Sequence, residues 1–196
     1  MKQKLLLTFI LIFTIKSFSQ NSKFSVEANY PIAIGDNFLG QNYNGLIDLG
    51  AKYLFSENEI INIGVSLNVG FFQNTKSGAT DLNQLFDVKI LPIQPRIFAE
   101  FNIPNLEKLH PQIGIGYSIL IYNAEWADNR EAELPADIDD NENGFNFNVG
   151  LSYDITNTLF VLAQYDFIKI GVEGGVPDSS YNTNLNILKF GIGLRI

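Results

Sequence analysis

Seven ionisable residues stand among small polar ones at alternate positions of the chain: Glu27, Lys52, Arg96, Glu100, Asp166, Lys189 and Arg195. Charges of both signs spread in this way can pair inside a confined interior, where an isolated charge is very costly. The same set can also line a narrow, gated path for ions, and both readings stay open. A second cluster runs from residue 125 to 143, where Glu125, Asp128, Glu131, Glu133, Asp137, Asp139, Asp140 and Glu142 face Arg130 alone. Asp139, Asn141 and Asn143 put oxygen ligands at alternate residues before Gly144, the opening of a calcium loop, with Asp137 as a fourth candidate. Gly150 stands where the bidentate Glu belongs, which leaves a looser surface calcium site or a solvated acidic loop.

Catalytic chemistry finds little support. His110 is the single histidine and lies beside a short turn, away from the end where a lipid hydrolase would need it. No Gly-x-Ser-x-Gly elbow, zinc spacing or phosphate-binding loop occurs. No catalytic residue and no cofactor is expected.

Strict alternation places these residues on strands. Ile61, Ile63, Val65, Leu67, Val69 and Phe71 interleave with Asn62, Gly64, Ser66, Asn68 and Gly70. The same pattern recurs at residues 112–121, 145–153 and 188–196, and more weakly at 24–34, 46–55, 88–101 and 159–167. That makes eight strands, with 88–101 the least regular because Pro92 and Pro95 each remove a ladder donor. The connections alternate in length. Loops 36–44, 73–87, 125–143 and 171–184 are long, while turns 56–59, 102–109 and 154–158 are short.

Residues 1–20 read as a cleaved secretory signal: Lys2 and Lys4, then an apolar run from Leu5 to Ile15, then Ser17-Phe18-Ser19. Without that signal, ten basic residues face 21 acidic ones and the formal charge moves from −8 to −11, which argues against a nucleic-acid partner. There is no cysteine, so neither disulfides nor a lipoprotein anchor is available. Residues 21–196 form one domain.

An all-β, antiparallel up-and-down barrel can be soluble or membrane-spanning, and the polar face decides between them. Soluble barrels expose Lys, Glu and Thr, whereas here that face is mostly Gly, Asn and Ser, which suit a crowded interior. The other face is Ile, Val, Leu, Phe and Tyr, which lipid tolerates. Tyr30, Tyr53, Phe55, Phe71, Phe101, Tyr153 and Phe167 fall near strand ends, as an interfacial girdle or as plain β-propensity. Trp126, just after a strand, can anchor at an interface or pack within a loop.

The signal ending Ser-Phe-Ser-Gln, the eight alternating strands and the final Leu188-Lys-Phe-Gly-Ile-Gly-Leu-Arg-Ile196 resemble the small outer-membrane β-barrel (OmpA-like, porin-family) proteins of the Bacteroidetes type. The resemblance implies a location in a bacterial outer membrane, contact with its lipid, and handling by the barrel-assembly machinery. Such chains typically end in an aromatic residue, and here Ile196 is last with Phe190 the nearest aromatic. The peptidoglycan-binding domain of the larger OmpA architecture is not expected. The functional expectation is a non-enzymatic structural or surface-interaction role, its partner met by the four long loops. Two alternatives remain: a narrow passive channel for small solutes or ions, and a soluble lipocalin-like ligand-binding barrel.

Overall fold

The computed structural model describes residues 23–74, 86–126, 138–172 and 175–196. The expected signal at 1–20 and most of the acidic loop lie outside them. Eight strands follow in order: β1 (Phe24–Ile34), β2 (Tyr43–Ser56), β3 (Ile61–Asn74), β4 (Phe86–Phe101), β5 (Leu109–Trp126), β6 (Ile138–Asp154), β7 (Leu159–Ile170) and β8 (Asn184–Arg195). Each pairs antiparallel with the next, and β8 returns to β1 to close the barrel. Closure leaves no open edge, so every strand has a hydrogen-bonding neighbour on both sides. Among the described residues two short helices lie in the connections, α1 (Phe38–Asn42) before β2 and α2 (Ser180–Thr183) before β8. No helix among the described residues is long and apolar enough to cross a membrane.

The two ends differ. Connections 57–60, 102–108 and 155–158 gather at one end, with the start of β1 and the finish of β8, and this is called the turn end. The strand ends that the four longer connections join gather at the opposite end, called the loop end. Strands β5 and β6 run further towards the loop end than alternation alone suggests, and pair as far as Ala124↔Ile138. The expected loop 125–143 is therefore shorter. Asp139, Asn141 and Asn143 stand on extended backbone in β6, where a calcium-loop turn would have to form. The ladder with β5 keeps them straight.

The prolines of β4 act as alternation predicts. Pairing with β3 lapses between Val69↔Ile93 and Phe72↔Ile90, around Pro92. Pairing with β5 lapses between Ile93↔Ile119 and Arg96↔Gly116, around Pro95. Backbone nitrogens three residues apart face opposite neighbours, so each missing N–H weakens a different seam. In β2 a bulge between Gly45 and Ile47 turns both Leu46 and Ile47 outward.

The outer surface carries the large apolar residues. Leu49, Val65, Leu67, Ile97, Ile115, Phe147, Val149 and Ile192 are all exposed there. Tyr53, Phe55 and Tyr153 border this belt towards the turn end, and Phe71 and Phe167 towards the loop end. Glycines on the inner face make room for large neighbours. A side chain at Gly193 would strike the Phe160 ring, and one at Gly64 the Phe98 ring.

Candidate functional site: the barrel interior

Inward positions of the strands converge on the barrel axis, and the middle of the barrel is ionic. Lys189 on β8 reaches Asp48 on β2 at 2.6 Å, Asp166 on β7 at 2.9 Å and the Gln94 carbonyl on β4 at 2.9 Å. Arg96 on β4 donates to Asp166 at 2.7 Å, to Asn146 at 2.9 Å and to Asn68 at 3.1 Å. Asn148 donates to the second oxygen of Asp166 at 2.6 Å. Asn29 and Asn68 donate to Asp48 at 3.0 and 2.8 Å. One step towards the turn end, Lys52 on β2 pairs with Glu27 on β1 and donates to Gln112 on β5 at 2.8 Å. Gln164 donates to Glu27 at 3.1 Å.

Three cations thus face three carboxylates, all buried and all paired. Polar side chains supply the remaining bonds, as a low-dielectric site requires. The pairs span the lumen from wall to wall and fill it. Asp48 belongs to this set although the sequence reading passed over it. It occupies the same face as Lys52, four residues on, and that phase was the available signal.

Glu100 and Arg195 face inward too, but at the turn end, apart from the central cluster. There Arg195 donates to Asp154, whose other oxygen lies 3.1 Å from Nε2 of His110. Nδ1 of His110 stands 3.9 Å from Glu100. The Arg195 guanidinium also lies 4.8 Å from the Phe160 ring centroid, a cation–π contact. His110 therefore belongs to an inward acid–base cluster near the turns, and among the described residues no serine bonds to it. The space left beside Lys52, Glu100, Phe98, Ser152 and Arg195 is about 20 Å³, room for roughly one water.

The loop-end third of the interior is apolar, which alternation did not announce. Phe72, Ile90, Leu120, Ile168, Ile170, Leu185 and Ile187 point inward and are sealed from solvent. Leu39 of α1 drops into their midst from above, 1% exposed. α1 reaches inward because Gly35 takes a positive φ of 86° and Asn37 caps the turn, accepting from the Gly40 amide at 2.9 Å. Phe38 then packs against Tyr43 and Tyr122 at the rim.

Of the candidate calcium ligands, Asp137 lies outside the described residues, while Asp139, Asn141 and Asn143 are strand positions. Among the described residues no three of His, Cys, Asp or Glu come together as a metal site. Trp126 ends β5.

A closed barrel with a filled ionic interior and a continuous apolar outer belt is the architecture of a membrane-spanning β-barrel. The chain belongs to the outer membrane protein β-barrel domain family, whose model matches residues 5–195. Among solved structures it is similar to Neisserial surface protein A, with 17% identity, TM-score 0.62, and 89% of this chain and 98% of that one covered. A major outer membrane protein of Thermus thermophilus gives 17% identity, TM-score 0.57, and coverage of 89% and 98%. The attachment invasion locus protein Ail of Yersinia pestis, solved with the heparin analogue sucrose octasulfate, gives 14% identity, TM-score 0.56, and coverage of 88% and 96%. At these identities the likeness is one of fold. No curated protein sequence matches the chain.

Proposed function

We propose that this chain is a non-catalytic outer-membrane barrel whose lumen is closed and whose longer connections face outward to make its contacts. The observation that carries this reading is the interior itself. An apolar layer of eight side chains sealed from solvent lies over a six-charge network whose members are all buried and paired. Apolar constrictions of this kind exclude ions by dewetting. Outward-facing loops agree with the length asymmetry of membrane barrels, which keep their short turns on the periplasmic side.

The test has two readouts. On a gel, membranes from cells expressing the chain should show it in the outer-membrane fraction with a mobility that changes on boiling. In planar bilayers the folded protein should give no stable conductance steps. Steady ohmic steps would overturn the closed-lumen reading in favour of a narrow passive channel. A soluble, unshifted product would overturn the membrane reading altogether.

A further inference from the structure

Where the apolar belt gives way at the loop end of β6, β7 and β8, its outward face carries a group of hydrogen-bond donors. Lys169 on β7 is paired across the ladder with Phe145 on one side and Asn184 on the other, and Asn186 is paired with Phe167. Asn143 lies two residues beyond Phe145 on β6, and Phe145 is 70% exposed. Two tyrosines set the amides. Tyr117 donates its hydroxyl to Oδ1 of Asn143, and Tyr165 donates to Oδ1 of Asn186 at 2.5 Å. With both Oδ1 atoms engaged, the Nδ2 groups of Asn143 and Asn186 are the polar atoms each amide has left to offer. Neither has a partner among the described residues.

Lys169 gives one proton to Thr183 Oγ1 at 2.5 Å and keeps two others. The Asp178 carboxylate approaches it at 3.8 Å but is largely exposed, so solvent screens most of the attraction. The patch therefore offers a cation and two oriented amides above a floor of exposed aromatic rings. It is continuous with the surface that lipid tails cover.

We infer that this patch seats the phosphate of an anionic membrane lipid, with the acyl chain lying along Phe145 and Phe147. This rests on the membrane reading above, since only a lipid-embedded belt brings headgroups to this level. Lys169 supplies charge, and Asn143 and Asn186 donate to phosphate or ester oxygens. A purely zwitterionic headgroup would gain the amide bonds without the net attraction.

The experiment uses the full chain refolded into phosphatidylcholine vesicles doped with spin-labelled phosphatidylglycerol or spin-labelled phosphatidylcholine. Electron spin resonance reads the fraction of label immobilised by the protein. The wild-type chain should hold phosphatidylglycerol about two- to fivefold better than phosphatidylcholine at low salt, the scale of one surface lysine. Lys169→Gln should abolish that preference, Asn143→Val should reduce it, and Lys108→Gln at the turn end should leave it intact. An inserted, heat-modifiable chain with no preference overturns this inference alone, as does an equal loss in Lys108→Gln. A chain that does not insert overturns the membrane reading and this inference with it.

Discussion

Asp166 accepts from Arg96, Lys189 and Asn148, so one carboxylate ties β7 to β4, β8 and β6. Truncating it leaves Arg96 buried without a carboxylate and Lys189 with Asp48 alone, and breaking a buried ion pair in this way is strongly destabilising. Asp166→Ala should lower unfolding stability in urea by about 3–5 kcal/mol, read from the boiling-dependent gel shift. Lys23→Ala, which breaks only the exposed 3.8 Å contact with Glu57, should cost under about 1 kcal/mol. Charge identity was readable from the sequence because Glu27, Lys52, Arg96, Asp166 and Lys189 each keep phase with small polar neighbours. Who pairs with whom was not, since Lys189 and Asp48 are brought together only by the closing of the barrel.

At the scale of elements, alternation located all eight strands because one face meets lipid and the other meets a crowded interior. It misled at the loop end, where the two faces exchange character. Ile168, Ile170, Leu185 and Ile187 alternate with Lys169, Asn184 and Asn186, but there the apolar residues face inward and the polar ones outward, the reverse of the mid-barrel rows. α1 was read as loop, since five residues cannot show a helical repeat. Leu39 is its one fully buried side chain. Leu39→Ala should release α1 from the mouth, and limited proteolysis should then cut within residues 36–42 while the barrel stays folded. The glycine–aromatic match at the turn end admits a cleaner test. Gly193→Ala should destabilise by about 1–3 kcal/mol through overpacking. Combining it with Phe160→Ala should cost less than the two single changes together, because the pair share one space.

At the scale of the whole molecule, the barrel resembles a soluble protein turned inside out, and its outer belt sets its environment. Leu67→Arg, placed mid-strand on the exposed face of β3, should cost about 2–4 kcal/mol and lower the folded yield in vesicles. The same substitution at Ile60, on the connection between β2 and β3, should cost far less, because a turn lies at the water boundary. Comparing folded fractions by gel shift across vesicles of one lipid composition checks both.

The wall-to-wall ion pairs also impose an order on assembly. Lys189 and Asp48 are separated by 141 residues, and Arg96 and Asp166 by 70. Neighbouring strands can zip by local contacts, yet those pairs join strands that are not neighbours in the ladder, so they need the sheet to curl into a barrel. Until then a growing sheet would carry bare charges on one face and bare backbone at two edges, both ruinous in hydrocarbon. Partial insertion therefore has no resting place along the pathway. Closure of the final seam is therefore expected to commit the chain, and chains stalled before it should be found at the water interface, open to protease.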